Sequence, residues 1–360
     1  MVKGYLTVPA PSDIIYAPAE LALQITDGLV DRGHDVDFYA PTGSNVGKAR
    51  LVSRELRPLA NDYDSFQKLL VNPAYASDNV LATWDNYLAA EMFQRANNGE
   101  YDLLFFHHPE TALPFVQLYP HVPVAYVMHD PIEPLQQEML TMHGTNNQHI
   151  ISISNKQRET APDLPYAATI YNGIDTDYFT PGPTVAKDDY LLFLGSILPR
   201  KGTKEAIEVA QLAKKKLIIA GPTYPDNQDY FNTYVKPYVD DKMIKYLGHV
   251  PHEETLRLFQ NASAFLMPIQ WEEPFGLTMT EAMACGTPVI ALKRGSVPEI
   301  IDDGKTGFIT TSVEEMAAAV QKIDTIDPRV CRETAIERFS IEAMIDGYEH
   351  TFSKLISAQK

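Results

Sequence analysis

Short runs of apolar residues alternate along this chain with longer stretches whose apolar positions recur at helical spacing. The runs predict buried strands, and the longer stretches predict amphipathic helices. In the first half the runs fall at 4–8, 35–40, 103–107, 122–129, 149–154 and 169–172, with helices at 19–32 and 79–97. The first of these helices closes on Arg32-Gly33-His34, where a glycine suits the C-cap. A turn-rich segment, 173–184, interrupts the alternation, which resumes with strands at 190–195, 216–220, 244–248, 264–269 and 289–292. A last helical stretch, 341–355, carries Met344, Ile345, Tyr348, Phe352 and Leu355 on one face. Strands alternating with helices predict an α/β protein with parallel, doubly wound sheets.

The 360 residues exceed what one hydrophobic core usually supports, so two Rossmann-like domains are expected, 1–177 and 178–340, with 341–360 left over as a final helix. With 45% hydrophobic and 21% charged residues the composition is that of an ordinary globular protein. Residues 1–182 hold 10 Lys and Arg against 22 Asp and Glu, and the whole chain carries −17. That acidity disfavours nucleic acid and anionic membrane surfaces as partners. No apolar stretch approaches membrane-spanning length, and the N-terminal run is too short for a secretory signal. Cys285 and Cys331 make no disulfide framework, so a cytoplasmic location is expected. No His, Cys or carboxylate cluster has ligand spacing, and the pairs Asp35-Val36-Asp37 and Asp175-Thr176-Asp177 stand apart from the motifs below, so no metal is expected.

The segment Trp271-Glu272-Glu273-Pro274-Phe275-Gly276-Leu277-Thr278-Met279-Thr280-Glu281 lies between the strands 264–269 and 289–292. Pro274 and Gly276 mark a turn, and Leu277 to Cys285 carries helix formers. Free amides at Gly276, Leu277 and Thr278 would point out of a helix start, where phosphate is electrostatically favoured. Glu273 would stand in the loop and Glu281 about 6 Å along the helix axis. Two carboxylates flanking a phosphate site suit a ligand with hydroxyl groups at both ends and a diphosphate in the middle. The same acids could merely complement a helix dipole. A second strand end, Leu194-Gly195-Ser196-Ile197-Leu198-Pro199-Arg200-Lys201-Gly202, offers a glycine for close approach and a cation before a helix, which again fits a diphosphate.

The pattern Glu-x-Phe-Gly-Leu through Glu-Ala-Met-Ala-x-Gly-x-Pro-Val-Ile resembles the Glu-x7-Glu motif of retaining glycosyltransferases of family 4. The resemblance extends over nearly the whole chain and is strongest from 189 to 309. It implies the GT-B architecture, two Rossmann-like domains facing across a cleft, with the last helix crossing back onto the first domain. Lys201 matches the family lysine that holds the departing diphosphate, whereas the family arginine position is Ser196 here, with Arg200 a possible substitute. Gly195, Ser196, Arg200, Lys201, Leu277 and Thr278 are then expected at the diphosphate. Lys245-Tyr246-Leu247-Gly248-His249-Val250 resembles the loop that reads the nucleobase, and Glu281 is expected on the ribose. Glu273, with the amides of Phe275 and Gly276, would grip the donor sugar. His129, ending the run 122–129, matches a histidine near the reacting carbon, and His107 and His108 could line an acceptor pocket. In the first strand–helix loop the family glycines become Ala17 and Pro18, and a proline has no amide to give.

The expectation is a metal-independent, retaining transferase with no cofactor. It would move a hexose-type sugar from a nucleoside-diphosphate sugar, UDP-sugar favoured, to a small-molecule or other soluble acceptor. His129, Lys201 and Glu273 are the expected catalytic residues. A nucleotide-sugar epimerase of the same fold is one alternative, separable by products formed without acceptor. A nucleotide-sugar-binding protein with little transfer activity is the other, favoured by Ser196 and Pro18. An NAD-binding reading is poorly supported, because no Gly-x-Gly-x-x-Gly follows the first run.

Overall fold

The computed structural model describes residues 1–11, 14, 16–73, 79–182 and 189–358. The chain divides into two units, Met1–Gly173 with Ile341–Lys360, and Ile174–Ser340. Residues 174–177 thus belong to the second unit rather than the first. Arg332 explains this, since its guanidinium donates to the Thr176 carbonyl at 2.8 Å and the Ala284 carbonyl at 3.0 Å. The Ile174 amide likewise donates to Phe339 at 2.8 Å. Positions 183 and 184 of the turn-rich segment lie outside the described residues.

In the first unit, β1 (Asp37–Tyr39) and β2 (Arg50–Val52) form a short parallel ladder. The strands β3 (Leu104–Phe106), β4 (Val124–Val127), β5 (Gln148–Ser152) and β6 (Tyr166–Thr169) lie side by side in that order, all parallel. The last strand therefore sits earlier than the expected 169–172, and β2 was not foreseen. Phe93, Phe106 and Tyr126 fill the core beneath this sheet. The helices Ala17–Asp31 and Val80–Asn97 correspond to the two expected from periodicity.

The expected strand 4–8 is not one. The Gly4 amide donates to the buried Asp85 carboxylate at 2.6 Å, and the Tyr5 carbonyl accepts from Leu59 at 2.9 Å and Ala60 at 3.2 Å. Val8 bonds Ser44 Oγ at 3.0 Å through its amide and the Asn45 amide at 2.7 Å through its carbonyl. Backbone groups satisfied by loops and by a helix side chain are not free to join a ladder. It is Met1, ahead of this segment, that reaches the sheet: its amino group donates to the Phe105 carbonyl of β3 at 2.8 Å, and its carbonyl accepts from the His107 amide at 3.1 Å.

The helix Ile341–Ser357 packs on the first unit against Ala17–Asp31. Arg32 pairs with Asp346 at 2.6 Å and Glu349 at 2.9 Å, while Tyr348 meets Phe105 at a tilt and Phe352 meets it edge-on. Met344, Ile345 and Tyr348 are buried there, each worth about 1.5–3 kcal/mol of hydrophobic stabilisation.

The second unit is a six-stranded parallel sheet. Its strands are β7 (Tyr190–Leu194), β8 (Lys216–Ala220), β9 (Ile244–Tyr246), β10 (Ala264–Met267), β11 (Val289–Leu292) and β12 (Gly307–Thr310). Their spatial order is β12-β11-β10-β7-β8-β9. The order reverses between β7 and β10, and ligands of doubly wound sheets bind beyond the strand ends at such a reversal.

Candidate active site

Because all six strands of the second unit are parallel, the loops after β7, β8, β9 and β10 leave from one edge of the sheet. Every residue expected at the diphosphate and nucleoside lies on these loops or on the helix after β10. Buried β10 runs into the loop 268–276, and Gly276, at a φ of 86°, opens the helix Leu277–Ala284. Leu277 and Thr278 occupy its first turn, where amides have no intrahelical acceptor. The Phe275 ring is buried against Phe339, so only its backbone can meet a ligand. Glu281 is half-buried, further along the same helix.

A short strap after β11 shapes this loop. The Ser296 amide donates to the Glu273 carbonyl at 2.9 Å, its hydroxyl to the Phe275 carbonyl at 2.6 Å, and the Gly295 amide to Glu272 Oε2 at 2.9 Å. Gly295 has a φ of +53°, and a Cβ there would stand 2.2 Å from the Glu273 carbonyl oxygen. Only glycine permits that approach. Sequence reasoning missed this strap, since nothing local in Arg294-Gly295-Ser296 signals a partner some twenty residues away.

Lys201 ends a single 3-10 turn, Pro199–Lys201, after β7. The Gln270 amide donates to the Arg200 carbonyl at 2.8 Å, tying this turn to the loop after β10. Gly202, at a φ of +80°, lets the two segments touch, because a Cβ would lie 1.9 Å from the Pro268 carbonyl oxygen. The outcome is a direct ion pair, Lys201 Nζ to Glu273 Oε2 at 2.6 Å, with Glu273 only 11% exposed at its side chain and Lys201 26%. Trp271 joins them, since its Nε1 donates to the same Oε2 at 2.9 Å. Arg200 Cζ lies 4.5 Å and Lys201 Nζ 5.5 Å from the indole centroid, within cation–π range. Sequence reasoning assigned Trp271 no role.

Ser196, at the position of the family arginine, is hydrogen-bonded to the Tyr224 phenol, whose pKa is raised by burial. Gly195, Gly221 and Gly248 are contiguous through their backbones. A Cβ on Gly221 would stand 1.9 Å from the Gly195 carbonyl oxygen, and the Gly221 amide donates to the Gly248 carbonyl at 2.7 Å. Tyr246 caps this group, donating to the Gly221 carbonyl at 3.1 Å. Space beside Gly248 is open, His249 is exposed and Val250 is half-buried.

In the first unit, His129 follows β4 and His107 follows the neighbouring β3. His129 Nε2 lies 3.0 Å from His107 Nδ1, with the rings stacked at 9°. Burial pushes His129 down to about 4 and His107 well below its ordinary value, so both are neutral near pH 7 and share one proton along this bond. The Gln157 amide group fixes the strand end, donating to the Met128 carbonyl at 3.0 Å and the Asp130 carbonyl at 2.8 Å. His108 is bonded to the Tyr16 hydroxyl. Next to it Lys3 bridges Glu110 at 2.9 Å and Asp85 at 3.8 Å, and burial pushes Asp85 up to about 6. Pro18 sits in the first turn of Ala17–Asp31, where a missing amide costs nothing to the helix. Positions 12, 13 and 15 of that loop lie outside the described residues.

Among the described residues no three His, Cys, Asp or Glu side chains come together as metal ligands, and no helix is long and apolar enough to cross a membrane. Both cysteines are buried and neither forms a disulfide.

The family of group 1 glycosyl transferases matches residues 176–332, and glycosyltransferase family 4 matches residues 19–178. N-acetyl-alpha-D-glucosaminyl L-malate synthase of Bacillus anthracis is 23% identical over 380 residues, 92% of each chain. Among solved structures, sucrose-phosphate synthase from Thermosynechococcus elongatus superposes with a TM-score of 0.72 at 20% identity, covering 99% of this chain and 98% of that one. HepE of Anabaena in complex with UDP does so at 0.71 and 19%, covering 96% and 98%. At these identities the two structures establish the shared GT-B fold.

Proposed function

We propose that this chain, which belongs to glycosyltransferase family 4 and is a transferase with the GT-B fold, moves a hexose-type sugar from a nucleoside-diphosphate sugar to a soluble acceptor, with retention and without metal or other cofactor. The observation that carries the reading is the Lys201–Glu273 contact at 2.6 Å, set beside the helix start at Leu277. A cation for a leaving diphosphate and a carboxylate for sugar hydroxyls are thereby held within one hydrogen bond of each other. UDP is the favoured nucleotide, supported by the UDP held in the HepE structure of the same fold.

In this mechanism the bond from the anomeric carbon to the diphosphate oxygen breaks, and its electron pair stays on the diphosphate. Lys201, the Ser196 hydroxyl and the amides of Leu277 and Thr278 stabilise the charge that develops there. Arg200 can help offset this negative charge by leaving the Trp271 ring. The acceptor oxygen attacks the same face, and its proton passes to the departing phosphate oxygen. Glu273 accepts hydrogen bonds from sugar hydroxyls and aligns the anomeric carbon, while Glu281 accepts from the ribose. A glycosidase-type carboxylate pair would be the wrong description, because Glu273 is already engaged with Lys201 and Trp271 as a binding group. In the first unit the neutral His107–His129 pair suits an uncharged hydroxyl ligand.

A thermal-shift panel of nucleotide sugars identifies the donor, since at equal concentration a tighter ligand stabilises more, with the logarithm of its concentration over Kd. Product analysis then separates transfer from epimerisation. Glu273→Ala should lower turnover about a hundredfold or more while leaving nucleoside-diphosphate affinity within about threefold. Turnover near wild type at saturating donor would sink the assignment.

A further inference from the structure

All described hydrogen bonds to the Glu273 carboxylate end on one oxygen. Oε2 accepts from Lys201 at 2.6 Å and from Trp271 at 2.9 Å. No described residue donates to Oε1, which nonetheless keeps access to solvent. A buried carboxylate with one oxygen held twice and the other presented outward is arranged to receive a ligand hydroxyl. The two donors on Oε2 differ in what a ligand does to them. A diphosphate carries more negative charge than a carboxylate and draws the flexible ammonium of Lys201 towards itself. The indole N–H has no such alternative, because the ring is rigid and its backbone is short and closely tied. The Glu273 amide donates to the Trp271 carbonyl at 3.0 Å, and the neighbouring Gln270 amide is bonded to Arg200.

We propose that Trp271 is the positioning residue of this site: its N–H holds Glu273 Oε2 when Lys201 turns to the diphosphate, so that Oε1 stays aimed at the donor sugar. The inference rests on the transferase reading of the site given above. It also accounts for the second contact of the indole. With Arg200 and Lys201 near its ring, Trp271 links the cations of one loop to the carboxylate of the other. Without the N–H, Glu273 is held only by a charge that the substrate takes away, and the carboxylate loses its orientation during the step that needs it.

The test removes the N–H and nothing else. Site-specific replacement of Trp271 by 3-benzothienylalanine keeps the bicyclic ring, its π face and its volume, and Trp271→Phe serves as the coarser variant. The analogue should lower kcat about tenfold or more, with donor KM and UDP affinity within about threefold of wild type and an unchanged melting temperature. A purely packing role makes the opposite prediction, with the analogue normal and only Trp271→Phe impaired in melting, KM and kcat together. An analogue that retains kcat within about threefold would overturn the role of Trp271 while leaving the transferase reading intact. If wild type itself turns over no nucleotide sugar, the transferase reading fails and the role of Trp271 falls with it.

Discussion

Breaking the Lys201–Glu273 pair from one side should be far more damaging to the fold than removing it from both. At 2.6 Å the gross attraction is about 6 kcal/mol at an effective dielectric of 20. Desolvation of the two groups offsets most of that, and a charged hydrogen bond nets about 1.5–3 kcal/mol. Lys201 keeps 26% exposure, which places the coupling near the lower part of that range, about 2 kcal/mol. Lys201→Met leaves a nearly buried carboxylate with only the Trp271 N–H, and should cost about 2–3 kcal/mol. Glu273→Gln keeps an acceptor for Trp271 and leaves a lysine that can reach water, so it should cost about 1 kcal/mol. The double variant should recover most of the Lys201→Met loss. For a unit of this size each kcal/mol moves the melting temperature by about 2–4 °C, so differential scanning fluorimetry at pH 7 resolves the cycle, with urea unfolding giving the energies. A coupling below about 0.5 kcal/mol, or a Glu273→Gln variant less stable than Lys201→Met, would refute the argument. Turnover supplies the contrast: both singles should lose it, and the double should not regain it, because the pair is replaceable for stability and not for chemistry.

Three further outcomes follow from the geometry. Glu273→Ala and the Trp271 analogue should both spare UDP affinity while lowering turnover. Gly202→Ala should destabilise the second unit by about 2 kcal/mol or more and abolish turnover, since a Cβ would sit 1.9 Å from the Pro268 carbonyl oxygen at a φ of +80°; an unchanged melting temperature would contradict this. His129 titrates near about 4 in the fold against about 6.5 unfolded, so between these values the unfolded chain binds more protons and stability falls as pH drops. His129→Gln should flatten that acid-side loss in urea midpoints taken from pH 7.5 down to 4.5, and an unchanged slope would show that the ring is not held neutral by burial.

The sequence by itself determined the class of the fold, an organisation in two units divided near residues 173–177, and which loops and helix start carry the candidate site residues. These rest on local signals. Apolar runs bounded by turns specify β7 to β11, and Pro274-Phe275-Gly276 followed by helix formers specifies the start of Leu277–Ala284. The first unit was less legible. Residues 4–8 have the pattern of a strand, yet Asp85, 81 positions away from Gly4, takes the amide that a ladder would need. Burial and long-range hydrogen bonding override a five-residue pattern, because propensity is worth tenths of a kcal/mol per residue and a buried unsatisfied amide costs more.

Only the tertiary structure decided how the expected residues engage one another. Lys201 and Glu273 are 72 positions apart and become one ion pair because Gly202 admits the Pro268 carbonyl. Ser196, where the family arginine would stand, is engaged by Tyr224, and desolvation by the surrounding protein pushes the half-buried His129 beside His107 below its ordinary pKa. The indole of Trp271 carries no signal in the sequence, since an aromatic beside a motif reads as packing. Its meaning depends on which atoms lie at 2.9 Å from Nε1, and the fold of the two loops sets that distance. Local chemistry names the groups a site will use; the direction of each hydrogen bond follows from where distant segments of the chain are brought together.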